Sequence, residues 1–225
     1  MTSRSSQWRR LFGEAFRLID AVNTEHELLS DWTFGGGTAL MLQIDHRESY
    51  DVDLFVPDPQ LLPYLNAAAA DLELGIDGGS YTSDGARHVR LAFEGIGEVD
   101  FIFAAPATDE EPIEQAVGGR TVRMETPAEI VAKKVLYRGS SIQPRDLFDI
   151  AAACEAGHRD SVTAALTGLP EAVEIAVTRM DRLKPTYVRD TIGQLVVREQ
   201  FEKLRNDCLE IARAVMNEAK ISPRP

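Results

Sequence analysis

Gly35-Gly36-Gly37-Thr38, followed thirteen to fifteen residues later by Asp51-Val52-Asp53-Leu54-Phe55, is the stretch on which the reading of this chain turns. Trp32-Thr33-Phe34 ahead of the glycines has the composition of a short strand, and Thr38 opens a compact apolar helix through Ala39, Leu40, Met41, Leu42 and Ile44. Glycines between a strand and a helix N-terminus let backbone N–H groups approach an anion closely, and the helix dipole favours a phosphate there. By itself such a run is equally a plain turn, and the Gly-Lys-Ser/Thr ending of a P-loop is absent. Asp51 and Asp53 stand two apart, at the entry to and within the strand predicted over Val52 to Val56, so as strand residues both carboxylates project from one face and can share hard cations. A solvated strand edge would also carry such a pair, but Leu54-Phe55-Val56 continues straight into core composition.

A third acid, Asp100, lies in Val99-Asp100-Phe101-Ile102-Phe103 with no pairing cation close by in the sequence. Buried alone it would be costly. If its strand lies beside that of Asp53, three carboxylates converge near the glycine turn, the arrangement that positions two Mg²⁺ ions for in-line phosphoryl chemistry.

Outward from this centre, Trp8, Leu11, Phe12, Ala15, Phe16, Ile19 and Val22 recur at helical spacing and predict a first helix from about Ser6 to Val22. Leu61 to Leu74 reads as helix, and the cluster Asp77-Gly78-Gly79-Ser80 breaks the pattern. His88 to Phe93 and Glu98 to Phe103 read as a β-hairpin, and Arg120 to Met124 as a further strand. From Pro127 onward the texture is helical: Glu129 to Arg138, Asp146 to Glu155, His158 to Leu166, Ala172 to Leu183, and one long helix from about Asp190 to Lys220. The expectation is an α+β chain, with a catalytic unit over residues 1–125 and a helical unit over 126–225 packed on it.

The chain has 225 residues, 44% of them hydrophobic, and a net charge of −12. This composition buries a sizeable core and excludes disordered and fibrous classes. Residues 1–110 hold 7 Lys and Arg against 19 Asp and Glu, whereas the remainder is balanced at 17 of each. So acidic a first half argues against a whole-surface nucleic-acid binder and suits carboxylates that hold divalent cations. No stretch approaches the roughly 20 apolar residues that span a bilayer, and the polar N-terminus carries no signal core, so the expected location is the cytoplasm. Cys154 and Cys208 have no CxxC or His-rich companion, which indicates buried thiols rather than a disulfide or zinc site. His26, His88 and His158 show no zinc spacing, and lone His46 reads as a hydrogen-bonded structural residue.

Taken together, Gly36-Gly37-Thr38-Ala39-Leu40 and His46-Arg47-Glu48-Ser49-Tyr50-Asp51-Val52-Asp53-Leu54-Phe55 resemble the AbiEii/AbiGii-type nucleotidyltransferases, a family that contains toxins of type IV toxin–antitoxin systems. Glu129-Ile130-Val131-Ala132-Lys133-Lys134 and Arg145-Asp146-Leu147-Phe148-Asp149 are similar to the family's lysine and Arg-Asp motifs. The resemblance covers about residues 32–150 and implies a nucleotidyltransferase fold, a small mixed sheet with helices, followed by a C-terminal helical bundle. NTP and Mg²⁺ would lie in the cleft between the two, with Gly35, Gly36, Gly37 and Thr38 under the triphosphate and Asp51 and Asp53 as Mg²⁺ ligands. Asp100 would be the third metal-binding carboxylate and could take the acceptor's proton; Asp146 of the Arg-Asp motif is the alternative.

Lys133 and Lys134 are adjacent on a helix and point about 100° apart, so only one faces a site. Register with the family motif selects Lys134 as the cation on the triphosphate, with Lys133 kept open. A contact through Arg145 or Asp149 would lock the helices. Arg47 and Ser49 are candidates for phosphate contact, and Arg47 is equally a partner for the acids. A late basic run from Arg179 to Arg205 is a candidate RNA contact, although such runs usually form a solvated helix face.

The implied reaction is Mg²⁺-dependent transfer of a nucleotide from an NTP to an acceptor hydroxyl. The resemblance suggests a toxin acting on RNA such as a tRNA 3′ end, with a cognate antitoxin. A small-molecule or protein acceptor, favoured by the acidic composition, and a non-catalytic nucleotide-binding module are the rivals.

Overall fold

In the computed structural model, which describes residues 5–24 and 27–221, the elements follow in the order α1 (Trp8–Val22), β1 (Thr33–Gly35), α2 (Gly36–Ile44), β2 (Val52–Val56), α3 (Leu62–Asp71), β3 (Gly79–Ser83), β4 (His88–Phe93), β5 (Gly97–Phe103), β6 (Ile113–Val117) and β7 (Arg120–Met124). Helices α4 (Pro127–Arg138), α5 (Pro144–Ala153), α6 (Arg159–Thr167), α7 (Pro170–Met180), α8 (Pro185–Ile192) and α9 (Leu204–Ile221) complete it. The chain divides into two compact units. The first holds the chain up to Ala39 together with Ser49–Ala105 and Pro112–Glu125; the second holds Leu40–Glu48, Pro106–Glu111 and the chain from Thr126 onward.

All seven strands belong to the first unit and form one mixed sheet in the order β3-β4-β5-β2-β1-β7-β6. β2 is antiparallel to β1 and parallel to β5, and β4 and β5 form the expected antiparallel hairpin. Strand alternation sorts the two faces. Val52, Leu54, Val56, Val89, Leu91, Val99 and Phe101 are buried, and α1 and α3 pack on the sheet through Leu11, Phe12, Leu62 and Leu65, all nearly inaccessible. The opposite face carries Asp53 and Phe55 on β2, Asp100 on β5, and His88 and Arg90 on β4.

Two strands went unforeseen. β3 begins at Gly79, inside a cluster with breaker composition, and β6 is almost wholly exposed with Glu114 and Gln115 in it. Both are edge strands, which need no apolar alternation because little of them is buried. The second unit is helical around a core that includes Val131, Val135, Leu147, Phe148, Leu166, Ala176, Met180, Leu204 and Val215.

The single long C-terminal helix expected from Asp190 to Lys220 is not formed. α8 stops at Ile192, with Gly193 at its C-cap, and α9 begins at Leu204. The intervening segment pairs with residues of 45–48: Arg47 bridges Val197, the Glu48 N–H donates to the Val196 carbonyl at 2.8 Å, and the Arg198 N–H to the His46 carbonyl at 3.0 Å. Arg198 adds a 2.8 Å ion pair to Asp45. These long-range pairings leave no trace in local periodicity.

Candidate active site

The glycine run is only partly a loop. Gly35 ends β1, and Gly36 and Gly37 are already the first residues of α2. Gly36 takes φ of +69°, and a Cβ placed there would lie 1.9 Å from Oδ2 of Asp53. Conformation and space therefore both require glycine, and the Asp53 carboxylate rests directly against the turn. The register gives the same result, since Gly35 pairs with Asp53 across β1 and β2. Thr38 is fully buried, and its hydroxyl donates to the Asp51 carbonyl, tying the start of α2 to the start of β2.

Asp51 and Asp53 are both half-buried. Asp51 Oδ1 accepts the Glu98 N–H at 3.1 Å. The close approach of the β4–β5 turn depends on Gly97, where a Cβ would meet the Tyr50 carbonyl at 2.7 Å and φ is +143°. Ser49, in the same unit, is buried just ahead of the acids.

Asp100 lies beside Asp53 in register, as strand adjacency required, but it is not a lone acid. Its Oδ1 accepts from His88 Nε2 at 2.6 Å and Arg90 Nε at 2.7 Å, and its Oδ2 from Arg90 Nη2 at 3.0 Å. Arg90 Nη1 then reaches Glu98 at 2.8 Å. The expectation of an acid without a pairing cation is corrected: the partners come from β4, where His88-Val89-Arg90 puts the imidazole and the guanidinium on Asp100's face. That alternation was readable in the sequence once β4 and β5 were taken as a hairpin. Among the described residues no three His, Cys, Asp or Glu side chains gather as a metal site. The acid pair Asp51 and Asp53 fits Mg²⁺ nonetheless, because this ion commonly takes one or two carboxylates and completes its shell with water and substrate phosphate.

The lysine and Arg-Asp motifs meet in the second unit as a buried ion-pair network. Lys134 Nζ lies 2.9 Å from Asp146 Oδ1 and 3.1 Å from Asp149 Oδ2. Arg47 grips Asp149 with two hydrogen bonds, Nε to Oδ1 at 2.7 Å and Nη2 to Oδ2 at 2.9 Å. His46 Nε2 lies 2.9 Å from Asp149 Oδ1, and Arg138 reaches Asp146 at 3.2 Å. Asp146 also accepts the Gln143 N–H at 3.0 Å, capping α5. Thus Asp149 ties α5 to α4 through Lys134 and to the segment after α2 through Arg47, the latter a pairing 102 residues apart that motif spacing did not reveal. Arg47, left open between phosphate and an acid by the sequence, is paired with this one.

The titrations follow from burial and these partners. Burial would raise Asp149, but the Arg47 and Lys134 cations outweigh it and hold the carboxyl well below its ordinary range. Asp146 is likewise lowered, burial being overcome by Lys134 and Arg138. Burial presses Lys134 down, yet Asp146 and Asp149 together leave it raised. His46 is lowered because burial exceeds the help of Asp149, so the ring is neutral, and its buried Nδ1 has no hydrogen-bond partner among the described residues.

Lys133 is also buried and lies 3.4 Å from Glu129, one turn earlier. Arg145 is exposed and makes no ion pair among the described residues. Cys154 and Cys208 are free and buried, with thiols pushed up to about 11 by burial. His26 lies outside the described residues.

The sequence matches the family model "Nucleotidyl transferase AbiEii toxin, Type IV TA system" over residues 17–220. Among solved structures, the fold is similar to that of MenT4, a nucleotidyltransferase toxin from Mycobacterium tuberculosis H37Rv, at 18% identity and a TM-score of 0.57, covering 98% of this chain and 87% of that one. It is also similar to JHP933 from Helicobacter pylori, at 16% identity and a TM-score of 0.50, covering 96% of this chain and 94% of that one. At such identities the likeness concerns the fold. No curated protein matches the sequence.

Proposed function

This chain belongs to the AbiEii family of nucleotidyltransferase toxins of type IV toxin–antitoxin systems, and we propose that it is an Mg²⁺-dependent enzyme that transfers a nucleotide from an NTP to a hydroxyl of RNA, such as a tRNA 3′ end. The observation that carries this reading is the packing of the Asp53 carboxylate against Gly36 at the start of a helix, with Asp51 two residues earlier in the chain. In one turn it unites an acid pair for a divalent cation with the N-terminus of a helix for phosphate.

In this reading the acceptor hydroxyl attacks the α-phosphorus and gives up its proton to water, the bond from the α-phosphorus to the bridging oxygen breaks, and pyrophosphate leaves with the electron pair. Asp51 and Asp53 would hold Mg²⁺, which when bound neutralises charge on the triphosphate. Gly36 keeps the turn open for phosphate, and Thr38 and the Glu98 N–H hold Asp51 in place. Asp100 acts by organising Arg90 and His88 rather than as a further ligand, since its oxygens already accept three hydrogen bonds.

Lys134 is the cation assigned to phosphate, with Asp146 and Asp149 fixing its ammonium group. A cognate antitoxin and a cytoplasmic setting belong to the same reading; no helix among the described residues is long and apolar enough to cross a membrane. A small-molecule acceptor is the second reading, favoured by the net charge of −12.

Incubation of the pure protein with each α-labelled NTP, Mg²⁺ and total cellular RNA tests the proposal. Labelled RNA that disappears in Asp53→Asn supports it. Labelling that survives Asp53→Asn removes the acid pair from the site, and nucleotide consumption without labelled RNA turns the reading to a small-molecule acceptor.

A further inference from the structure

Many exposed and half-buried cations of this protein are matched with carboxylates. Arg120 pairs with Asp20, Arg159 with Glu218, Arg198 with Asp45, Lys203 with Glu155, Arg213 with Asp181 and Lys220 with Glu174. One surface of the second unit departs from that pattern. Residues 136–145, from the end of α4 into α5, contain Arg138 and Arg145 and no acid; residues 182–189, leading into α8, contain Arg182, Lys184 and Arg189 and no acid.

The fold joins these two segments. The Tyr187 hydroxyl lies 3.3 Å from Gln143 Oε1, the residue that caps α5 two positions before Arg145. Lys184 is the N-cap of α8, and Tyr187 follows three residues later in its first turn. Arg138 shares Asp146 Oδ1 with Lys134, at 3.2 Å and 2.9 Å, so the surface borders the buried lysine network. Arg145 and Lys184 are exposed and have no ion-pair partner among the described residues, and Tyr137 and Tyr187 are 50% and 45% exposed.

Two cations without ion-pair partners among the described residues, Arg145 and Lys184, together with the half-exposed Arg138 and exposed aromatic rings, form a surface that attracts phosphates and stacks bases, against the net charge of −12. We infer that the surface formed by Tyr137, Arg138, Gln143, Arg145, Lys184 and Tyr187 binds the single-stranded end of the RNA acceptor. The cations take the backbone and Tyr187 stacks on a base. The inference rests on the RNA reading given above and adds where that RNA is held. Arg189, exposed but on the flank of α8 turned away from Tyr187, lies outside the surface.

The test is fluorescence anisotropy with a labelled single-stranded RNA of about 20 nucleotides over a salt series, with nucleotide transfer to the same RNA followed in parallel. The double substitution Arg145→Gln with Lys184→Gln should weaken binding at least tenfold and flatten the slope of log K against log salt by about 1.4, roughly 0.7 for each phosphate no longer neutralised. Tyr187→Ala should weaken binding about tenfold while Tyr187→Phe, which keeps the ring, binds as the parent does. Arg189→Gln should change little. Transfer to RNA by the parent, together with a double variant that binds and labels as well as the parent, overturns the surface and leaves the RNA reading standing. Loss in Arg189→Gln equal to that in the double variant, or tighter binding of duplex DNA than of the single strand, also overturns it. Failure of the parent to bind or label any RNA overturns the RNA reading and the surface with it.

Discussion

Gly36 carries two separate demands at one position, a left-handed backbone and a carboxylate where a Cβ would stand. Gly36→Ala is therefore expected to displace Asp53, abolish transfer and cost about 1–3 kcal/mol of stability, read by melting and by the labelling assay. Asp149 accepts from Arg47, His46 and Lys134 without access to water. Asp149→Asn leaves two buried cations short of a counter-charge and should destabilise the fold by about 3–5 kcal/mol in urea denaturation. Because Asp149 and Asp146 have depressed folded values, their stabilisation is present above about pH 4 and is lost as pH falls through those values. His46 acts at higher pH: the unfolded chain takes up a proton near about pH 6.5 and the buried ring does not, so stability declines below that point. His46→Gln should flatten the decline between about pH 7 and 5, and a decline as steep as the parent's would remove His46 as its source.

At the scale of elements, β2, β4 and β7 were readable to the residue because strand alternation and apolar runs are local signals. α8 and α9 were not separated, because Gly193 interrupts an otherwise continuous helical pattern and the break is held by pairing with residues 45–48. Candidate acids were legible by type and spacing, and the hairpin register contained the partner of Asp100, whereas Arg47 and Asp149 come together only through the fold. The β4–β5 hairpin shows what that difference means for chemistry. Asp100 looked like a third ligand from its apolar setting, yet β4 supplies it with Arg90 and His88. Asp100→Asn is thus expected to lower stability by about 2 kcal/mol through weakened charged hydrogen bonds while Mn²⁺ binding, followed by electron paramagnetic resonance, stays within a few-fold of the parent. Loss of Mn²⁺ binding comparable to that of Asp53→Asn would restore Asp100 as a ligand.

Over the whole molecule, the charge divides by role. The acidic first half contains Asp53 against its glycine turn, and the balanced second half contains Lys134 with Asp146 and Asp149, together with Arg145 and Lys184, which make no ion pair among the described residues. Expression in cells should arrest growth for the parent and not for Asp53→Asn at equal protein level; equal tolerance of both would favour the small-molecule acceptor. The central claim is that the Gly36–Asp53 turn holds a metal-bound NTP, and calorimetric titration of Mg²⁺ with NTP into the parent and into Asp53→Asn, with melting curves for both, tests it most directly. The account predicts saturable binding by the parent and none by a normally folded Asp53→Asn. Equal binding by the two would contradict it.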